Sequence, residues 1–485
     1  MIEVIKKLKN YTFDSKMIIC EIYAQRLMNP NELDIIGNIN GVMPNELEIF
    51  MLYSVIYDDD DESTLEINHR DFSEIITAIR NFRHPKWDEF EMDNKYSENF
   101  MMISGLTQFS VQGNVSQRFF RYDYFFTFIN DDIDMKQEFN KKFGCDYDHF
   151  RRFAFSIYLL LSDKNQSTSK QKVMTYLWKE YRNAAKLLKI DKKSYKKAVV
   201  DLLGDDILNY YYGLKIQYLF PIIEGINFQY LPIPYLLINA TTDSLLHRLT
   251  EGNEELRRSI GKNVLEQYLY DLYTEIENID HIYPEQKYYI GKKELLSPDV
   301  IVIEDDYCMM FDTKLSVPSI RMRTFDKSAI DKAIKIAAEN VKKIFFHINN
   351  YDQGHFELDR KINRNNVFGV IVQLEDFYVS RKEIYETARQ MINSDAAKMT
   401  EDEYSFMCSN IKIVGLRDVE QALFKGQSYL KYLIHNKSNK EKWFDIFLTN
   451  VPEIVNDSTV IRSLEKFVNK EKNEFLLDVK AAKRM

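Results

Sequence analysis

Residues Leu295–Ser316, LLSPDVIVIEDDYCMMFDTKLS, constrain the fold of this chain more than any other stretch. Two β-rich runs, Val300–Glu304 and Tyr307–Asp312, flank Asp305-Asp306. That is the spacing of a strand hairpin closed by a two-residue loop. Between its ends the pair is apolar at every position: Val300, Ile301, Val302, Ile303, Cys308, Met309, Met310 and Phe311. A strand with one wet face alternates polar and apolar residues, whereas one apolar throughout is covered on both faces. The chain must therefore pack other elements over both sides of this hairpin.

The same pairing sets two acids against each other. With a two-residue loop, Glu304 faces Tyr307 and Asp299 faces Asp312, with Cβ atoms roughly 5 Å apart. Opposed like charges destabilise a sheet. A carboxylate pair at the end of a buried hairpin needs a proton or a cation, and a hard divalent ion is the economical answer. Lys314, two residues beyond Asp312, points to the same face. From there it can hold an attacking water or stabilise developing negative charge. Aspartates also sit at strand ends and turns for local hydrogen bonds, which is the reading for Asp305 and Asp306.

Pro298-Asp299 followed by Asp312-Thr313-Lys314 resembles the PD-(D/E)XK nuclease superfamily. D-x-K recurs in the chain, for example at Asp93–Lys95, Asp134–Lys136 and Asp191–Lys193, but Pro-Asp occurs once. The predicted order from Asp243, helix-strand-strand-strand-helix-strand, is similar to that superfamily's core. The resemblance spans about residues 243–395. It implies a restriction-endonuclease-like αβββαβ core in which Asp299, Asp312, the Thr313 carbonyl and a helical glutamate hold Mg²⁺, with Mn²⁺ substituting. Glu266 is the choice for that glutamate on the predicted helix Glu255–Ile276, because Leu269, Tyr270 and Tyr273 continue its face as an apolar stripe. A surface pair between Glu266 and Lys262 is the alternative, and Glu255 and Glu275 are other candidates. His347 and His355 lie near the core without a third partner at metal spacing and read as structural.

The 485 residues suggest about three domains. The expected fold class is α/β multidomain. Residues 1–162 read as mainly helical, with helices over Asn45–Tyr57 and Asp71–Phe82 and an aromatic core segment at Phe119–Asn130. Residues 163–242 follow a polar break at Ser162–Lys172 and hold a basic helical hairpin plus strand-like runs at Lys215–Ile223 and Asn227–Ile238. The nuclease-like core occupies 243–395, and 396–485 is a helical C-terminal region with one strand-like run, Ile411–Leu416.

Ala184–Leu203 loosely resembles a helix-turn-helix. Asp191 would cap its second helix, and Lys192, Lys193, Tyr195, Lys196 and Lys197 would remain outside, able to reach phosphates. A solvated basic face is the bland alternative. A second basic patch, Arg321–Lys343, follows the candidate site; the resembled fold puts its helix beside the active site, which implies that Lys332 and Lys335 contact the backbone of the cleaved strand, with a merely solvated lysine face as the alternative.

Lys and Arg total 65 against 74 Asp and Glu, a net charge of −9. Such a chain is not a whole-surface polyanion binder, so nucleic acid must be met by local patches. No apolar run approaches the roughly 18 residues that span a bilayer, and four widely spaced cysteines give no CxxC pair. A cytoplasmic protein without membrane contact is expected. Neither a GxGxxG nor a P-loop is present. The resemblance implies metal-dependent DNA hydrolysis and points to restriction or another anti-phage defence, though repair nucleases share the core, with accessory defence proteins as further partners. The alternatives are a catalytically silent nucleic-acid-binding scaffold subunit, or an RNase. Cutting both strands of a duplex calls for two sites, so a homo-oligomer, a dimer, is expected. Its cleavage should fall steeply as salt rises from about 50 to about 200 mM.

Overall fold

The computed structural model describes the chain except residues 28–40, 59–62, 83–92, 94–95, 109–113, 163–167, 205–215, 226–227, 378, 396–397, 438–459 and 485. Most of the acidic run after Asp58, the acids Asp88, Glu89 and Glu91, and the middle of the polar break lie outside the described residues. The described residues form a mixed α/β protein, with small sheets and no barrel. Among the described residues, no helix is long and apolar enough to cross a membrane, and the four cysteines are buried and form no disulfide.

Among the described residues, ten strands form three sheets. β1 (Lys189–Asp191), β2 (Ile222–Glu224) and β3 (Gln229–Tyr230) make a small mixed sheet. β4 (His281–Pro284) leads to a separate hairpin of β5 (Lys287–Ile290) and β6 (Lys293–Leu296). β7 (Val300–Glu304), β8 (Tyr307–Lys314), β9 (Val367–Gln373) and β10 (Ile411–Gly415) complete the central sheet, whose order is β10-β9-β8-β7-β4. β4, β7 and β8 are antiparallel neighbours, and β8, β9 and β10 run parallel.

The β7–β8 ladder has the register expected from a two-residue loop, Glu304 opposite Tyr307 and Val300 opposite Phe311. Asp305 opens that loop at φ 50°, a left-handed conformation that Asp tolerates better than most residues. Both faces are covered. Val300, Val302, Met309, Phe311, Phe368 and Val370 join a core built with the helices Val115–Thr127, Tyr147–Ser162 and Glu266–Thr274. Ile301, Ile303, Cys308, Met310 and Ile371 face the 26-residue helix Lys327–Asp352 and the helix Arg381–Asp395. Gly369 lets the first of these approach closely, since a Cβ there would stand 2.8 Å from Ile344 Cγ1. A third core joins helices Phe13–Leu27, Pro44–Ile56 and His69–Arg80 to Tyr195, Val199, Tyr218, Ile223, Tyr230 and Leu236.

Elsewhere the elements differ from their sequence patterns. Three strands were expected between the helix at 254–274 and β9, and there are five, because the polar segment Lys287–Leu296 folds back around Gly291 at φ 62°. The run expected as a strand through Ile238 ends in a helix, Leu236–Thr241, buried all round. Uniform burial erases the periodicity that separates a buried helix from a strand. Ile216–Tyr218 is a 3₁₀ turn for which the same reasoning applies.

In the basic hairpin, the short helix Arg182–Lys186 and the helix Lys192–Leu203 are joined through β1. Asp191 does cap the second, accepting from the Ser194 amide at 2.9 Å. Tyr195, expected outside, is fully buried and donates to Gln217. Its ring fills the third core, a gain that outweighs anything the surface offers an aromatic ring.

Candidate active site at the end of the central hairpin

Side-chain alternation along β8 places Asp312 and Lys314 on the face of Cys308 and Met310, the face covered by the helix Lys327–Asp352. Asp312 is completely buried. Its Oδ2 lies 2.5 Å from Lys314 Nζ, an ion contact rather than an aligned hydrogen bond, and Lys343 Nζ donates to its Oδ1 at 2.8 Å. Burial alone would raise the Asp312 pKa, but the two ammonium groups override it and hold the carboxyl below its ordinary value.

Asp299 sits just before β7. Its Oδ2 accepts from the Thr313 amide at 2.6 Å and from the Thr313 hydroxyl at 3.0 Å. Burial, then the neighbouring Asp312 charge, pushes its pKa up to about 6. Lys314 also donates to the Thr313 carbonyl at 3.1 Å. That carbonyl is one of the oxygens expected to hold metal.

Glu266 reaches the same place from the other side of the sheet. Its helix runs unbroken from Glu254 to Thr274, with a π-helical stretch over Ile260–Leu265 immediately before it. Such wide turns are frequent at functional sites. Burial and then Asp299 push its pKa up to about 8, with smaller contributions from Glu285 and Asp312 and an opposing one from Lys314. The strongest charges acting on Glu266 are thus those of the site, not Lys262. Of the other candidates, Glu255 is exposed and Glu275 accepts from the Ser463 amide at 3.0 Å.

The structure therefore brings together Asp299, Asp312, Thr313, Lys314 and Glu266. It does not bring Lys332 and Lys335 to them. Both are exposed on the long helix, but the residue that touches Asp312 is Lys343. At 1.5 Å per residue, Lys335 and Lys332 stand roughly 12 and 17 Å further along the axis. Lys193 and Lys197 are exposed, whereas Lys192 pairs with Asp58 and Lys196 donates to its backbone carbonyl at 2.6 Å.

Lys343, Glu285 and His347 were not read as site residues from sequence. His347 is buried one turn beyond Lys343, and its Nε2 has no hydrogen-bond partner among the described residues. Burial, then Lys343, lowers its pKa to about 4, so it is neutral above that pH. The one sequence signal for these residues is the i, i+4 spacing of Lys343 and His347 on a helix following a D-x-K strand.

Among the described residues, no three His, Cys, Asp or Glu side chains stand close enough together to ligate one metal ion. What the geometry offers is two mutually repelling acids, Asp299 and Glu266, beside a third held by two lysines. Compared with known proteins, the chain matches no family model, no curated protein and no solved structure.

Proposed function

We propose that this protein is a metal-dependent nuclease that hydrolyses phosphodiester bonds of DNA, in restriction or another anti-phage defence. The observation that carries the reading is the convergence of Asp299, Asp312, Lys314 and Glu266 at one end of the central sheet. Element order supports it. A helix, the antiparallel β4-β7-β8, the helix Lys327–Asp352 and β9 parallel to β8 follow the αβββαβ order of a restriction-endonuclease-like core, with the β5–β6 hairpin inserted.

The donor set is of the oxygen type that Mg²⁺ or Mn²⁺ prefers, but in the described geometry the three carboxylates do not close on one point, so this reading calls for them to draw together around the cation. Burial, joined by the Asp312 charge at Asp299 and by the Asp299 charge at Glu266, holds both pKa values up, and a bound cation would relieve that cost. Asp299, Asp312, the Thr313 carbonyl and Glu266 would hold it, all oxygen donors of the hard type such ions prefer. When bound, the ion would polarise the phosphate and lower the pKa of a water. Thr313 fixes the Asp299 carboxylate across the ladder through two hydrogen bonds. Lys314 is the cation placed to orient the attacking water. Exposed Lys335 and Lys332 extend away from the site along one helix and meet backbone phosphates, which positions the substrate without reading its sequence. Two such sites in a homodimer would cut both strands.

A second reading, a silent nucleic-acid-binding scaffold subunit, is favoured by one specific observation: both oxygens of Asp312 are already engaged by lysines. The experiment that separates the two is a cleavage assay in Mg²⁺ and in Mn²⁺ on duplex DNA, single-stranded DNA and RNA. Cleavage of DNA that Asp312→Asn and Lys314→Ala each lower by more than about 100-fold, beyond the usual loss for an outer-shell residue, supports hydrolysis. Binding without cleavage supports the scaffold. Preference for RNA would make the enzyme an RNase.

A further inference from the structure

The β5–β6 hairpin is inserted between β4 and β7, and its neck ends at the candidate site. There the Ser297 amide donates to the Gln286 carbonyl at 2.8 Å, and the Ser297 hydroxyl oxygen accepts from the Gln286 amide at 2.8 Å. Pro298 and Asp299 follow directly. Glu285, on the other limb, is near enough for its charge to act on Glu266 and on Lys343. The inner face seats the hairpin. Tyr288 is buried with its ring 5.0 Å from that of Phe356, and its hydroxyl accepts from Asn350 at 2.9 Å. Half-buried Ile290 and Leu295 pack against the same core.

The outer face carries Lys287, Tyr289, Glu294 and Leu296. Tyr289 is 58% exposed and Leu296 43%. As diagonal neighbours across the ladder they make one apolar spot. Tyr289 donates to Glu294 at 2.8 Å, and Glu294 pairs with Lys287 at 3.0 Å, which holds the ring without covering it. Lys292 and Lys293 stand exposed at the tip beside Gly291. Residues 287–293 thus carry three lysines and no acid, in a chain of net charge −9. A protein partner needs roughly 800 Å² on each side, which two side chains do not supply. A nucleic-acid base needs only the face of one ring, with cations nearby for its phosphates.

We propose that the β5–β6 hairpin is a nucleic-acid wing: Tyr289, flanked by Leu296, stacks an unpaired base of the strand that enters the site, and Lys292 and Lys293 contact that strand's phosphates. The inference rests on the nuclease reading above and narrows its substrate to nucleic acid with unpaired bases beside the cleaved bond. A base inside a duplex is stacked on both neighbours and offers no free face to Tyr289, whereas a single strand or a frayed end does. Tyr289 stands two residues above the neck, roughly 7 Å along the strand. With the neck closed by two hydrogen bonds and the inner face seated on the long helix, the ring keeps a fixed place relative to Asp299.

The test uses the full chain in EDTA, so that no metal-dependent step enters, with fluorescent oligo-dT and a DNA duplex of equal length as probes. Wild type should bind oligo-dT more tightly than duplex. Tyr289→Ala should weaken oligo-dT binding by about tenfold, the contribution of one stacked base. Its thermal midpoint should not move, because the ring lies at the surface. Tyr289→Phe keeps the ring and should retain the affinity. Lys292→Ala combined with Lys293→Ala should lower the slope of log affinity against log salt by about 1.4, with about 0.7 from each phosphate contact on a single strand. In Tyr289→Trp, the added emission should be quenched as oligo-dT binds, a contact signal that a merely structural residue would not give. Unchanged affinity in Tyr289→Ala, unquenched emission in Tyr289→Trp, or tighter binding of duplex overturns the proposal. DNA cleavage by wild type with oligo-dT affinity unmoved in Tyr289→Ala would sink the wing and leave hydrolysis standing. The expected loss in Tyr289→Ala, without cleavage of any substrate in Mg²⁺ or Mn²⁺, would keep the wing and remove hydrolysis.

Discussion

The Asp299 carboxylate accepts the Thr313 amide at 2.6 Å and the Thr313 hydroxyl at 3.0 Å through a single oxygen, Oδ2. One acid of the site is thereby tied across the ladder to the residue between the other acid and the lysine. Thr313→Val keeps the amide bond, the shape and the β propensity but removes the hydroxyl. The variant should lose about 1 kcal/mol of stability, read as a lower urea midpoint, and Thr313→Ser should recover it. Equal midpoints for all three proteins would mean that the hydroxyl contributes nothing.

The basic hairpin holds its lysines in two ways. Lys192 and Lys196 are turned onto Asp58, with Lys16 as a further buried partner of the same carboxylate at 2.8 Å. Lys193 and Lys197 face solvent. Replacing Lys193 and Lys197 together by Ala should reduce the salt slope of DNA binding by about two, one per phosphate contact, with the thermal midpoint unchanged. Replacing Lys192 and Lys196 should lower the thermal midpoint. A reversed pattern would show that the Asp58 contacts are not structural.

Arg121, on the helix Val115–Thr127, forms a buried pair with Glu420, 299 residues away, and Tyr268 donates to the same carboxylate at 2.6 Å. Arg121→Met leaves a buried carboxylate without its cation, a change that costs about 3–5 kcal/mol. The double variant Arg121→Met with Glu420→Gln removes both charges and should regain most of that loss in chemical denaturation. Single and double variants of equal stability would refute a coupled pair.

Asp418 is fully buried in the first turn of the helix that follows β10, where its Oδ2 accepts from the Gly415 amide at 3.1 Å. Burial pushes its pKa up to about 7, with Arg417 opposing and Asp376 adding to the rise. The folded state therefore holds a proton that the unfolded chain releases near pH 3.8. This stabilising contribution is complete below that pH and is lost as pH rises through about 7. Asp418→Asn keeps the cap and cannot ionise. Between pH 5 and pH 7 its unfolding free energy should gain on wild type by about 1 kcal/mol per pH unit, levelling off above pH 8. Parallel stability curves would show that Asp418 is ionised in the fold throughout.

Local chemistry was enough to specify the hairpin. The unbroken apolar runs of β7 and β8 required cover on both faces, and Asp305-Asp306 set the register that opposes Glu304 to Tyr307. The same pattern directed attention to Asp299, Asp312 and Lys314, and the apolar stripe after Glu266 singled out that acid on its helix. The aromatic run at Phe119–Asn130 declared itself as core for the same reason, that no surface accommodates so many rings, and its rings through Phe126 are largely buried while Ile129 and Asn130 are exposed. Where burial is uniform or a strand is short, the signal fails. Leu236–Thr241 carries no periodicity, and β5 and β6 have four residues each, too few for buried Tyr288 and half-buried Ile290 and Leu295 to stand out as an apolar face.

What the sequence alone determined is thus the hairpin and the acids and lysine it carries, because strand alternation and loop length act between neighbours. Only the tertiary structure decided which cation meets Asp312. The long helix could have offered Lys332, Lys335 or Lys343 from one exposed face. The choice depends on how far that helix overhangs the end of β8, which is set by Ile344 and Ile348 seating against Gly369 on a strand more than fifty residues beyond the site. No local pattern encodes that offset, since it is fixed by packing between elements distant along the chain.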